Sequence, residues 1–374
     1  MAAGYSPRRR NRRYIALVAV VVALFAGWSA VWYFAVRQAE VTMAGWRARE
    51  AKAGRDYACA TQTFGGYPFR FEVNCEQPTA VFHALKPPVE IAAANILVAA
   101  QIYQPDLLIS EVKGPLTIAD QGKPPAMIAD WTLLQTSVRG TPMAPERVAL
   151  VFDEPGLDRV AGGTRQPLVR AKHVEIHGRI AEGSVTDNPV VEAALDFDDA
   201  SLPGLHPAAA APMDGEIVAM LRGLHDFSPK PWPVRFREIQ AANGRIDITR
   251  ARVQQGDILA VGSGALSLNA NGRLEGQLRV TIAGLEQFLN KIGAQQLVQN
   301  SSAMDRVAGT LDRLMPGLGG LARQQAGQNI SAGINLIGEP TTLEGRRAVT
   351  VPLRFSDGAV FLGPVPIGKT PALF

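Results

Sequence analysis

Three residues in one short stretch have the types that bind metals. In His173-Val174-Glu175-Ile176-His177 the two imidazoles and the carboxylate fall at i, i+2 and i+4, so on a strand they share one face while Val174 and Ile176 take the other. Such a face could hold zinc, though the helical H-E-x-x-H spacing is absent; more often it is simply the solvated side of an amphipathic strand. Asp196, Asp198 and Asp199 form an acidic cluster without the glycine pattern of a calcium loop, and read as solvated carboxylates. Gly262-Ser263-Gly264 runs on into strand-like residues 266–270 where a dinucleotide fingerprint needs a helix. His83, His206 and His225 stand alone, and there is no G-x-S-x-G elbow or P-loop. The triplets beginning at Asn300 and Asn329 fit a glycosylation acceptor and carry no chemistry here. The expectation is a non-enzymatic protein with no cofactor and no resident metal.

Cys59 and Cys75 are the two cysteines of the chain. Outside the reducing cytoplasm they would close a loop of about 17 residues, worth roughly 3 kcal/mol in the chain-entropy model; two buried thiols are the alternative. The turn at Gly65-Gly66 separates two extended stretches, and a tight hairpin on it puts Cys59 opposite Glu72. A disulfide therefore requires a wider turn or an irregular first stretch.

The elements that would position these residues begin with a membrane segment. Residues 15–36 form a run of 22 residues without a charge, about 33 Å as a helix against a hydrocarbon core of about 30 Å. Arg8, Arg9, Arg10, Arg12 and Arg13 precede it, with no acid in residues 1–14; the remaining 360 residues hold 33 basic and 34 acidic side chains. The high isoelectric point thus belongs to the tail, which excludes a nucleic-acid surface on the body and sets the tail in the cytoplasm with the rest outside. Trp28, Trp32 and Tyr33 gather at the outer end as an interfacial belt. A cleavable signal peptide competes, but its best site, after Trp28-Ser29-Ala30, puts a bulky Trp where a small residue is needed. Residues 37–54 read as a juxtamembrane helix ending at Gly54, and 55–374 as a β-rich domain with a seam near 203–233, rich in Pro and Ala.

Beyond residue 79 alternation of period two recurs, as in Ile96-Val98, Val148-Leu150-Phe152 and Val174-Ile176. The clearest block runs over 234–283, with Asn243-Gly244 and Asn271-Gly272 as hairpin turns. Leu274, Leu278, Val280 and Ile282 line its apolar face, continuing from Leu266 and Leu268. Helical spacing is predicted over 214–227, over 285–298 (Leu285, Phe288, Leu289, Ile292) and over 304–315. Strands return at 330–337, 348–355 and 360–362. The fold class is mainly β (α+β): one transmembrane helix, then an elongated, curved antiparallel sheet of about 14 strands with a few packed amphipathic helices.

Gly66-Tyr67-Pro68-Phe69-Arg70 between two cysteines, the arginine-rich start with one anchor, and the ending over 358–368 resemble the alphaproteobacterial family catalogued as domain of unknown function 2125. More distantly, the glycine-turn strands around 262–284 resemble AsmA-like envelope proteins and the N component of type II secretion. These resemblances imply a bacterial inner-membrane protein with its bulk in the periplasm and, for the AsmA-like group, lipid transport and outer-membrane homeostasis. On that reading Leu266, Leu268, Leu274, Leu278, Val280, Ile282, Leu285, Phe288, Leu289 and Ile292 would line a groove for a phospholipid or another acyl-chain ligand. The competing expectation is a scaffold with a solid core and envelope proteins as partners.

Overall fold

The structure, a computed structural model, describes residues 8–141, 144–204, 207–228, 230–292, 338–363 and 365–374. Strand accounts for 56% of the described residues, in large antiparallel sheets. One long helix, α1 (Arg8–Lys52), opens it. Ala, Leu and Val keep the helix apolar and uninterrupted, Arg49 and Lys52 suit the negative end of its dipole, and Gly54 ends it at φ +75°. It is the one described helix long and apolar enough to cross a membrane, and its apolar window is wholly unburied.

The chain divides into two compact units, 1–126 and 127–374. In the first, Thr61–Gly65, Arg70–Glu76, Asn95–Gln101 and Gln104–Lys113 pair in that order. Arg55–Ala58, Thr79–Phe82, Val89–Ala92 and Leu116–Asp120 pair as a second set. Many of these strands are only four or five residues long, too short for alternation to mark them, which is why 23 strands are described where about 14 were expected.

The second unit is a long meander. Leu133–Thr141, Ala144–Asp153, His173–Ser184, Asp187–Ala200, Met213–Arg222, Arg245–Gln255, Ile258–Leu268, Leu274–Ala283 and Arg346–Ser356 pair each with the next, all antiparallel. Ala359–Leu362 and Val365–Lys369 complete it, while Met127–Asp130, Gly156–Ala161 and Thr164–Arg170 pair separately.

Three local expectations are corrected. The helix expected over 214–227 is the strand Met213–Arg222 followed by an irregular stretch. Strands on both sides supply its hydrogen-bond partners, and β-branched Ile217 and Val218 suit that setting. Residues 234–241, expected as part of the meander, lie in α2 (Trp232–Ala241), where prolines favour the helix start and Trp232 stacks on Phe236 one turn on. Asn243-Gly244 is accordingly no hairpin. It ends α2: Asn243 is left-handed at φ +50°, and Asn243 and Gly244 return their N–H groups to the Gln240 and Ile239 carbonyls. The turn at Asn271-Gly272 is a hairpin, closed by the Asn269 side chain accepting from the Asn271 and Arg273 amides. Of the region expected as helix over 285–298, α3 (Leu285–Lys291) and Ile292 are described. The remainder of that region, the helix expected over 304–315 and the strand expected over 330–337 lie outside the described residues.

Candidate functional site

Cys59 and Cys75 are bonded, with Cα atoms 5.4 Å apart. Both conditions for that bond are met. The first stretch breaks at residues 59–60 between its two short strands, and the turn widens so that Gly65 opposes Glu72 and Gln62 opposes Cys75. Gly66 makes the bend at φ +92°, where a Cβ would stand 2.6 Å from the Arg70 carbonyl oxygen.

The disulfide lies beside α1. The Arg47 guanidinium donates to Gln62 Oε1 at 2.5 Å and to Cys59 Sγ at 3.3 Å. Trp46 stacks on Tyr57 at 4.9 Å. Arg55 donates to Glu50, and that bond holds the Glu50 carboxyl below its ordinary range. Nearer the start of the helix, the Trp28 indole donates to the Pro68 carbonyl at 2.9 Å, Ser29 Oγ meets the Tyr67 hydroxyl at 2.8 Å, and Trp32 donates to the Arg70 carbonyl at 3.3 Å. From Trp28 to Arg47 is about 28 Å of helix, and from Ala60 to Pro68 about 27 Å of strand. The hairpin therefore runs alongside α1 with its tip toward the apolar run. An apolar crevice of about 240 Å³ separates them, lined by Trp28, Val31, Trp32, Ala35, Phe71 and Ile102.

In the second unit the cross-strand registers align four rows of side chains on one face. One row reads Leu150, Ile176, Leu195, Ile217, Ala251, Gly262, Val280 and Val351. Beside it stand Phe152, Val174, Phe197, Gly215 and Val253, and on its other side Val148, Ala193, Ala219, Ile248 and Leu278. A fourth row holds Ile180, Val191, Leu221, Ile246 and Leu266. None of these residues is charged. Gly215 belongs to the pattern because the Phe197 ring lies over it, 2.3 Å from where a Cβ would sit.

Burial changes along this face. At one end Ile282, Leu285, Leu289, Val351 and Leu362 are buried together, with Val280, Phe288 and Ile292 packed against them. Of the ten residues expected to line a groove, Ile282, Leu285 and Leu289 thus lie in this closed cluster, flanked by Val280, Phe288 and Ile292. Leu278 is buried too, while Leu266, Leu268 and Leu274 are half-buried on their strands. Farther along the same face, Val148, Leu150, Leu195, Ile217 and Leu221 are only half-buried, and Ile176 and Ile246 are each 39% exposed. The open part of the apolar face therefore spans residues 144–255, a region in which the sequence placed none of the groove residues. Its strict period-two alternation was the available signal.

The opposite face carries the histidines. His173 shares hydrogen bonds with Asp153 at 2.6 Å and Glu175 at 3.0 Å, and His177 with Glu175 at 2.9 Å. The bond to Glu175 and then the one to Asp153 raise the His173 pKa; the bonds from His173 and His177 lower that of Glu175. Asp196, directly across from Glu175, is pushed up by burial and by the Glu216 and Glu175 charges. Asp198 faces His173, and Asp199 accepts nothing in this chain of bonds; its amide donates to Asp214. Each imidazole spends Nε2 on Glu175, and among the described residues no group of three or more His, Cys, Asp or Glu is placed to hold a metal.

Sequence reasoning missed one polar cluster. Buried Arg235 of α2 donates to the Asp226 carboxylate at 3.2 Å and its carbonyl at 2.7 Å, while Lys230 bridges Asp226 and Glu238. The Ser228 hydroxyl, ahead of these cations, holds the Asp226 carboxyl far below the usual range. Asp226, Lys230 and Glu238 border a hollow of about 470 Å³ that also meets Asn188, His225 and Ala241. Assigning α2 to the meander hid it, because only a helix brings Arg235 and Glu238 to the same side.

A family model described as an uncharacterized protein conserved in bacteria, domain of unknown function 2125, matches residues 32–371. The chain belongs to this family. In this DUF2125 protein the match takes in the disulfide hairpin, the whole apolar face and the C-terminal strands. No curated protein matches it.

Proposed function

We propose that this protein is an inner-membrane-anchored periplasmic lipid handler, non-enzymatic, that receives acyl chains on the open part of its apolar sheet face. The observation carrying this reading is the contrast along one face: four uncharged rows continuous in register, closed under α3 and half-exposed over residues 144–255. An acyl chain laid there gains about 0.8 kcal/mol per methylene buried, so retention needs no titratable group. The five-arginine tail supports a cytoplasmic N-terminus, and the resemblance to AsmA-like proteins points the same way.

The test is native mass spectrometry of the full chain released from lipid nanodiscs, compared with the double variant Ile176→Glu, Ile217→Glu. Bound phospholipid in the wild type and its loss in a variant of unchanged far-UV circular dichroism is the expected result. Equal lipid on both proteins assigns it to the anchor and ends the reading. The closed cluster around Val351 favours a second reading, an envelope scaffold with protein partners. On that reading the wild type emerges lipid-free and the two glutamates reduce stability.

A further inference from the structure

The tips of two neighbouring hairpins in the first unit reach the helix where it is still free of charge. Trp28, whose indole holds the Pro68 carbonyl, lies eight residues before Val36, about 12 Å of helix inside the end of that run. The second tip, at residues 101–104, is tied to the first where the Ile102 amide donates to the Phe69 carbonyl at 3.1 Å. Phe69 is 68% exposed and Tyr103 76%, both pointing away from the protein. We propose that these two tips enter the outer leaflet of the membrane that α1 crosses, with Phe69 and Tyr103 in contact with lipid.

Two observations carry this. The first is continuity: a loop hydrogen-bonded to Trp28, Ser29 and Trp32 shares the depth of those residues, and Trp28 and Trp32 belong to the aromatic belt of the anchor. The second is the state of the loop backbone. The Gly66 carbonyl accepts from the Arg70 amide, Pro68 from Trp28, Phe69 from Ile102 and Arg70 from Trp32. At membrane depth, where water does not reach, loop carbonyls must be satisfied within the protein, as these four are. The tips would then fix the tilt of the first unit against the bilayer, which a lone helix does not.

The proposal rests on the anchor reading and is independent of the apolar face. Its test uses the full chain in phosphatidylcholine–phosphatidylglycerol vesicles. An environment-sensitive fluorophore is placed on single cysteines at Val22→Cys, Phe69→Cys, Tyr103→Cys and Lys123→Cys, the native pair being bonded. Quenching by acyl-chain nitroxide lipid should be several-fold stronger at positions 69 and 103 than at 123. If position 22 is quenched while 69 and 103 match 123, the tips stay in water and the proposal is overturned. If position 22 is not quenched either, the anchor reading has failed first.

Discussion

Ile176 and Val351 stand on the same register row, six strand pairings apart, yet Ile176 is 39% exposed and Val351 1%. One apolar face thus has a closed end and an open one, and substitutions at the two ends should behave differently. Leu289→Ala, on the buried side of α3, removes a fully packed side chain and is expected to cost about 2–5 kcal/mol. Ile176→Ala is expected to cost less, about 1 kcal/mol, because more than a third of its surface is already in solvent. Urea unfolding of the detergent-solubilised chain measures both; comparable losses would mean the open end is covered in solution.

The disulfide joins residues separated by 16 positions and lies against α1. Cys59→Ser with Cys75→Ser is expected to reduce the stability of the first unit by roughly 3 kcal/mol. Limited proteolysis should then cut within residues 55–126 before the second unit. Maleimide should label neither cysteine of the denatured, unreduced wild type; labelling would show the bond does not form in the cell.

Gly66→Ala places a Cβ against the Arg70 carbonyl oxygen at a left-handed φ. Strain of about 1–3 kcal/mol is the expected cost, relieved only by opening the turn. Opening it would release the Tyr67 and Pro68 contacts to Ser29 and Trp28, so tryptophan emission of the vesicle-bound protein should shift. An unchanged spectrum and midpoint would place the chain's bend elsewhere.

Much of this fold was legible because its physics is periodic. The run from Ile15 to Val36 announced the helix, and alternation through Leu274, Leu278 and Ile282 announced a two-faced strand. What failed was local spacing without context. Ile217, Val218 and Leu221 satisfy a helical pattern, and only the strands on either side make them a sheet. The same limit applies to the apolar face. Periodicity showed which side chains share it, but how deeply each lies depends on what packs above, so the closed end and the open end look alike in sequence.

The histidine face should make stability depend on pH with a definite sign. His173 is raised by its bonds to Glu175 and Asp153, so its contribution is full below the unfolded value near 6.5 and is lost as pH rises through the folded one. Glu175 is lowered by His173 and His177, so its contribution is full above about 4.3 and is lost as pH falls through its folded value. Asp196, raised chiefly by burial, acts with the sign of His173: its charging on the way to neutral pH opposes folding, near Glu175 and Glu216 and against the pull of His177 and Arg250. His173 and Glu175 are both at full strength in mildly acid solution, and Asp196, most favourable only below its unfolded value of about 3.9, is common to both proteins, so the gap in urea midpoint between wild type and His173→Ala should be widest between about pH 4.5 and 6.5 and narrow steadily toward pH 9. Glu175→Gln should shrink that gap, since it removes the partner that raises the imidazole most. A gap that stays constant from pH 5 to 9 would mean that folding leaves the His173 pKa unshifted and that its bonds to Glu175 and Asp153 do not favour the imidazolium.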